Sequence, residues 1–526
     1  MDEIRRRDFL KMTGALLAGS TPILKAAEIP VAKPNLVYIL CDDLGFGDVN
    51  ALNPLRGKIA TPNMDALRAE GMAFTDCHSS CAVCTPSRYS ILTGRYCWRS
   101  RLQRGVLRGD SSPLISNNRM TVGQLFQQQG YTTAAMGKWH LGLDFDKQDF
   151  TKPITDGPLQ HGFNYFFGIS ASLDMPPYDF IENNHWTEVP SVKREFPSDS
   201  YGPVFVKGPA RLGPAAPDFN AREVLPTLTK KAATYIDQRG KDHKPFFLYL
   251  ALPSPHTPLV PEKRWQGKSG LGPYGDYVME TDWSVGQVMK AIQQAGLQEN
   301  TIVMLASDNG CAPYINAAGM EQEGHFASAW FRGYKSDIWD GGHRIPYIVR
   351  WPGVVRPGST CMQAVELTDL MATMANILGV HLPPDAGVDS VSLLPLFKGA
   401  HQPVHRYNVY QSIDGNFAIQ EGKWKLELCP GSGGWEHPKN NEAVAESLPP
   451  VQLYNMESDI SEKTNVEAAN TDVVIRLIKD LENCIANGRS TPGPKQTNDV
   501  NINLWKLPTT PAAIEKLLAG SSSVLH

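Results

Sequence analysis

Four short apolar runs in this chain each end in polar residues. Asn35 to Asp42 (NLVYILCD) leads into Asp42-Asp43, and Tyr131 to Gly137 (YTTAAMG) leads into Lys138-Trp139-His140. Pro245 to Pro253 leads into Ser254-Pro255-His256, and Thr301 to Ser307 leads into Asp308-Asn309. Runs this short and this continuously apolar predict strands buried on both faces of a parallel sheet. Between them the periodicity turns helical: Pro62–Glu70 is closed by Gly71, and Val122–Gln129 by Gly130. Strands alternating with helices predict an α/β fold, and such sheets bind ligands beyond the carboxyl ends of their strands. Asp-Asp, Lys-x-His, His and Asp-Asn then meet at one edge, a single site built from distant parts of the sequence.

The pattern changes twice. From about residue 150 to 230, Pro, Gly and aromatic residues dominate with little periodicity. This predicts long loops over the strand ends, a natural place for substrate selection. After about residue 400 come short strand-like pieces at Tyr407–Ser412, Phe417–Gln420, Lys423–Leu428 and Gln452–Asn455, then a helix from about Asp472 to Ala486. They predict a small antiparallel sheet with one helix. The expected organisation is a catalytic domain over residues 33–400 and a C-terminal subdomain over 401–526 that closes onto it.

Composition narrows the function classes. With 526 residues, 42% of them hydrophobic, and a formal net charge of -4, the chain is globular with material for a large core. Nucleic-acid binding usually leaves a basic stripe, and a balance this near neutral gives it no support. At the N-terminus, Arg5-Arg6-Arg7-Asp8-Phe9-Leu10-Lys11 precedes a modest apolar run, Met12–Leu24, and small residues at Ala26-Ala27. The run is too short for a stable membrane span and has the layout of an export signal. The RRDFLK string is similar to the twin-arginine signal. Residues 1–27 are therefore read as a signal for the twin-arginine export machinery, which predicts a periplasmic or extracellular bacterial protein. A basic tail is the plainer alternative.

There are nine cysteines, an odd number that singles out one thiol in an exported protein. Cys84 in AVCTPSRYSILTG stands out. Thr85 and Pro86 suit the N-cap and first position of a helix ending near Gly94, so Cys84 sits at a helix mouth where backbone N–H groups activate a thiol. Cys77, Cys81, Cys84 and Cys97 could instead hold zinc or an iron–sulfur cluster, although no second CxxC accompanies them. The remaining cysteines either pair as disulfides or act as small buried apolar residues.

Asp42, Asp43, Asp308 and Asn309 are hard oxygen ligands that suit Ca²⁺ or Mg²⁺ and poorly suit a thiophilic metal. Alone, an Asp-Asp pair after a strand reads equally as a turn. Ser307-Asp308-Asn309-Gly310 after another strand favours the metal. Arg88, Lys138, His140, His256 and Lys335 surround that site, and so much positive charge predicts an anionic, oxygen-rich group such as sulfate or phosphate.

Cys84-Thr85-Pro86-Ser87-Arg88, followed by Leu92-Thr93-Gly94, resembles the signature of the formylglycine-dependent (type I) sulfatases of the alkaline phosphatase superfamily. Gly137 to Gly142 (GKWHLG) resembles that family's second signature. Asp42-Asp43, Pro255-His256, Ser307 to Gly310, and Lys335 with Trp339-Asp340-Gly341-Gly342 fall in the family order. The resemblance runs from about residue 34 to 400. Met136 departs from the smaller or β-branched residue usual before the second signature. The implied fold is α/β and alkaline-phosphatase-like: a large sheet with helices on both faces, plus a smaller C-terminal domain with an antiparallel sheet and a helix.

The resemblance also implies a chemistry, the hydrolysis of sulfate esters. By family habit the substrate of such an exported enzyme is a sulfated sugar, with aryl sulfates as model substrates. Cys84 is oxidised by a formylglycine-generating or sulfatase-maturating enzyme to 3-oxoalanine (Cα-formylglycine), whose hydrate attacks sulfur and carries a covalent sulfate intermediate. Asp42, Asp43, Asp308, Asn309 and the modified Cys84 hold Ca²⁺, in preference to Mg²⁺. Arg88 anchors the diol, Lys138 and Lys335 clamp sulfate, His140 assists its expulsion from residue 84, and His256 protonates the leaving oxygen. Ser172 is similar to a sulfate-pocket serine of some members. Asp174, His185, Trp186, His325, Phe326 and Arg344 are candidates either for contact with the rest of the substrate or for packing. A formylglycine-dependent phosphonate monoester or phosphodiester hydrolase carries the same motif and stays open. So does a sulfoglycan-binding protein whose Cys84 is never matured. A zinc phosphatase fits poorly, because too few strand-end His and Asp residues are available for two metals.

Overall fold

The computed structural model describes residues 33–195 and 211–507; the export signal read from residues 1–27 lies outside them. Ten strands form one mixed sheet. In chain order they are β1 (Asn35–Asp42), β2 (Met72–Phe74), β3 (Thr132–Lys138), β4 (Tyr165–Ile169), β5 (Ile181–Glu182), β6 (His185–Trp186), β7 (Phe246–Pro255), β8 (Thr301–Ser307), β9 (Tyr347–Arg350) and β10 (Ser359–Cys361). Across the sheet the order is β10-β2-β9-β8-β1-β7-β3-β4-β5-β6. From β8 through β4 the neighbours run parallel, and β9 is antiparallel to β8.

The four apolar runs are thus the four central strands, as their sequence predicts. Along β1 the side chains alternate between two cores. Leu36, Tyr38 and Leu40 pack with Tyr89, Ile91, Leu125 and Phe126 on one face. Val37, Ile39 and Cys41 pack with Met64, Leu67, Leu228 and Val285 on the other. Helices α1 (Pro62–Glu70), α4 (Val224–Asp242) and α5 (Gly272–Gln294) supply the second set, and α2 (Cys84–Thr93) with α3 (Val122–Gln128) the first. Asp282 of α5 accepts from the backbone N–H of Asn63 (3.0 Å) and Met64 (2.8 Å), satisfying donors that open α1.

Two expectations are corrected. The segment from 150 to 230 is not loop throughout. Tyr165–Ile169 is a strand that pairs along β3 from Ala134 opposite Tyr165 to Lys138 opposite Ile169. Four of its five YFFGI residues are buried, but the Pro- and Gly-rich surroundings hide so short a run. Helix α2 begins at Cys84, with extended Val83 before it. Thr85 is therefore inside the first turn, and its Oγ1 accepts from the backbone N–H of Leu107 (3.2 Å). Gly94 closes the helix at φ 60°, a left-handed conformation that favours glycine.

After residue 400, β11 (Asn408–Gln411), β12 (Phe417–Glu421), β13 (Trp424–Glu427) and β14 (Gln452–Asn455) form the expected antiparallel sheet in sequential order. Val474, Leu477 and Leu481 of α6 (Thr471–Asn487) cover Phe417, Ile419, Leu426 and Leu453, and Tyr96 and Trp98 join that core. From Pro34 onward the described residues cluster as one compact unit. All nine cysteines are buried free thiols, so none pairs as a disulfide. Cys77, Cys81, Cys84 and Cys97 do not form a metal-binding group among the described residues. No described helix is long and apolar enough to cross a membrane.

Candidate active site

The parallel neighbours β8, β1, β7 and β3 end side by side, at Ser307, Asp42, Pro255 and Lys138. Their trailing residues therefore emerge at one sheet edge. Gly137 (φ 102°) makes the fit possible, since a Cβ there would lie 1.9 Å from the Ala251 carbonyl oxygen on β7. Asp43 (φ 64°) and His140 (φ 57°) are left-handed, a conformation costly for non-glycine residues and concentrated at functional sites.

Ion pairs knit the site together. Arg88 of α2 donates through Nε (2.9 Å) to Asp308 Oδ2, its Nη2 lies 2.7 Å from the same oxygen, and Nη1 donates to the Lys138 carbonyl (2.9 Å). Lys138 Nζ donates to Asp42 Oδ2 (2.7 Å). Lys335 Nζ donates to both Asp43 oxygens (2.5 and 2.7 Å), and Asn309 Nδ2 donates to Asp43 Oδ1 (2.7 Å). His256 Nε2 lies 3.6 Å from Asp43 Oδ2. His140 Nε2 meets the Leu107 carbonyl at 2.8 Å, and its backbone N–H donates to the Ser170 carbonyl (2.9 Å). Ser172, two residues further on, is buried, and its hydroxyl has no partner among the described residues.

The donor set fits a hard dication. Ligand atoms of Asp42, Asp308 and Cys84 lie within 4.8 Å of one another, as do those of Asp42, Asp43 and His256. Among the described residues, Asp42 Oδ1 and Asn309 Oδ1 are buried without a hydrogen-bond partner, with Arg88 Nη2 3.6 Å from Asp42 Oδ1. Unpaired buried oxygens are costly, and a cation would satisfy both.

Charge and burial oppose each other throughout. Burial alone would raise Asp42, yet Lys138, His256, Arg88 and Lys335 hold it well below the usual carboxylate range. Burial and the Asp42 charge push Asp308 up to about 6. Burial lowers Lys335, but the Asp43 carboxylate beside it wins and holds it well above the ordinary value. Burial also pushes the Cys84 thiol up, outweighing Lys138 and Lys335. The activated thiol expected at the helix mouth is thus corrected to a neutral one, because desolvation exceeds the effect of helix position and cations.

Every catalytic and metal candidate from the sequence comes together here. The six side chains weighed as substrate contacts have other partners. His325 binds Asp48 (2.9 Å), Arg344 binds Asp340 (3.0 Å) and the Thr75 carbonyl, and the Arg56 guanidinium lies over the Phe326 ring. Trp186 packs between Phe145 and Phe150, Asp174 pairs with Arg211 (3.0 Å), and exposed His185 bonds its neighbour Asn184. Leu107 is invisible to sequence reasoning, because it acts through a backbone carbonyl that leaves no trace in residue type.

Fold and site together define an enzyme of α/β architecture in which buried cations gather around carboxylates that could hold a metal ion. The chain belongs to the sulfatase family, whose profile, described as Sulfatase, matches residues 34–380; it is an enzyme that hydrolyses sulfate esters. It is 34% identical to the N-acetylgalactosamine-6-O-sulfatase of Bacteroides thetaiotaomicron over 484 residues, which cover 86% of this chain and 93% of that one. Bovine (Bos taurus) arylsulfatase A is 32% identical, with 88% and 89% covered. Among solved structures, a sulfatase from work on glycosaminoglycan metabolism by Bacteroides thetaiotaomicron superposes with a TM-score of 0.76 at 31% identity, covering 86% of this chain and 99% of that one.

Proposed function

We propose that this sulfatase is exported through the signal at residues 1–27 and removes sulfate from a carbohydrate, with residue 84 matured to formylglycine and Ca²⁺ held by Asp42, Asp43, Asp308, Asn309 and residue 84. The observation that carries the reading is the placement of Cys84 against Asp42 and Asp308 under Arg88, Lys138 and Lys335. The sugar-sulfatase relatives support a carbohydrate substrate.

When bound, Ca²⁺ polarises the sulfate oxygens and offsets developing charge. The hydrated aldehyde of residue 84 supplies the hydroxyl nucleophile. The chain's own groups do the rest. Arg88, fixed by Asp308, orients residue 84. Lys138 and Lys335 pair with sulfate, turning from the carboxylates they now neutralise. His256 hands a proton from Nε2 to the departing oxygen. Burial and Lys335 lower that ring, while Asp43 and the charge of an arriving sulfate favour its protonated form. His140 accepts a proton at Nδ1 when sulfate departs. Ser172 offers its unpaired hydroxyl to the sulfate.

The test is sulfate release from defined monosulfated sugars by enzyme produced with a maturation enzyme, measured beside hydrolysis of a phosphate diester. Faster sulfate release, lost in Cys84→Ala, supports the reading; faster diester turnover favours the phosphodiesterase alternative.

A further inference from the structure

Most of the active site is closed to solvent. Asp42, Arg88, His140 and Asp308 are 0% exposed, whereas Lys335 (3%), His256 (5%) and Thr257 (7%) mark where the site opens. Tyr314 stands at that opening. Its phenol lies beside the Thr257 side chain and within electrostatic reach of Lys335 and Asp43. Trp435, from the loop between β13 and β14, faces Tyr314 with ring centroids 5.8 Å apart and planes tilted by 42°. Its backbone N–H donates to Ser336 Oγ (3.0 Å) and Asp337 Oδ1 (2.9 Å), directly after Lys335 in sequence. Pro313, Tyr314, Trp435 and Glu436 line a cleft of about 190 Å³. The Glu436 backbone is fixed on both sides, its N–H donating to Asp337 Oδ1 (3.2 Å) and its carbonyl accepting from Ser432 Oγ (2.7 Å).

We propose that Tyr314, Trp435 and Glu436 bind the sugar ring that carries the scissile sulfate, and that this ring is a neutral pyranose with no second anionic substituent. The proposal rests on the sulfatase reading above. Aromatic faces set at an angle match the apolar C–H face of a pyranose, and a carboxylate beside them accepts hydrogen bonds from ring hydroxyls. A cleft this small takes one ring. The same carboxylate repels a uronate or a second sulfate, so selection works by rejection as well as attraction. A loop of the C-terminal sheet thereby takes part in specificity, because it supplies two of the three residues.

The test compares kcat/KM of the matured enzyme and its variants on monosulfated galactose, disulfated galactose and nitrophenyl sulfate. Trp435→Ala is expected to lose about tenfold more on monosulfated galactose than on nitrophenyl sulfate, chiefly through KM, with Trp435→Phe recovering most of the difference. Glu436→Gln is expected to shrink the preference for monosulfated over disulfated galactose about tenfold. Equal losses on both substrates in Trp435→Ala and Trp435→Phe, or an unchanged preference in Glu436→Gln, overturn the subsite. A matured wild type inert on every sulfate ester contradicts the sulfatase reading itself.

Discussion

His140 Nε2 lies 2.8 Å from the Leu107 carbonyl oxygen, while its equally buried Nδ1 has no hydrogen-bond partner among the described residues. A carbonyl only accepts, so Nε2 carries the proton and Nδ1 presents an open lone pair. Burial, with Lys138 and Arg88 nearby, holds this ring well below the usual histidine range and therefore neutral. His256 is set the other way round. Its Nδ1 is committed to the Thr257 carbonyl and its Nε2 faces Asp43. In the proposed mechanism the first ring takes a proton at Nδ1, and the second gives one from Nε2 once Asp43 and a bound sulfate have favoured its protonated form.

The two roles separate by leaving group. An alkoxide needs a proton as its S–O bond breaks, and a nitrophenolate leaves without one. His256→Ala is expected to slow a sugar sulfate by roughly 10²–10⁴-fold and nitrophenyl sulfate far less. His140→Ala is expected to slow both by a similar factor, since its step follows loss of the alcohol. Steady-state sulfate release on the two substrates checks this, and the opposite pattern reverses the assignments.

Chelation of Ca²⁺ is expected to abolish turnover and lower the melting temperature. Without the cation, Asp42 Oδ1 and Asn309 Oδ1 have no hydrogen-bond partner among the described residues, and the carboxylates repel each other. Added Ca²⁺ should restore both. Full activity after exhaustive chelation contradicts the oxygen-ligand assignment.

Stability should fall as pH rises toward 8. Burial pushes Glu280 up to about 8; the Glu262 N–H donates to its Oε2 (2.9 Å), and its Oε1 has no partner among the described residues. The nearby Glu262 charge pushes the same way, against Arg264 and Arg222. The folded state thus keeps a proton that the unfolded chain releases at lower pH. The stabilisation is present below the unfolded value and is lost as pH rises through about 8. Glu280→Gln, which can still accept from Glu262, should flatten that loss, which is on the order of a few kcal/mol. Urea midpoints across pH test it, and parallel profiles for variant and wild type contradict it.

Lys425 is a buried counterion that fastens the small sheet. Its Nζ lies 2.8 Å from Asp340, 3.1 Å from Glu427 and 2.6 Å from Glu462, every side chain fully buried. Lys425→Met should lower stability by about 3–5 kcal/mol, because it leaves buried carboxylates uncompensated. Adding Glu462→Gln should recover part of that. An unchanged urea midpoint in the single variant contradicts the role.

The sequence reveals this site wherever function depends on residue type at a strand end. Asp42-Asp43, Lys138, His256 and Asp308-Asn309 follow apolar runs, and the parallel order β8-β1-β7-β3 brings them together. What escapes is information carried by the backbone or by burial. Leu107 orients His140 through a carbonyl, and β4 is five residues inside Pro-rich surroundings. The Cys84 thiol is raised by desolvation that no local pattern encodes. Trp435 and Glu436 sit in a loop with no periodic signal, and only the packing of that loop onto Ser336 and Asp337 brings them to the mouth of the site.

The most direct measurement of the central claim is the mass of the peptide carrying residue 84, taken on preparations matured to different extents and plotted against their rate of sulfate release. If the aldehyde formed from Cys84 is the nucleophile's source, the rate rises in proportion to the converted fraction and extrapolates to zero with none. Undiminished turnover in preparations whose residue 84 is still cysteine contradicts the account.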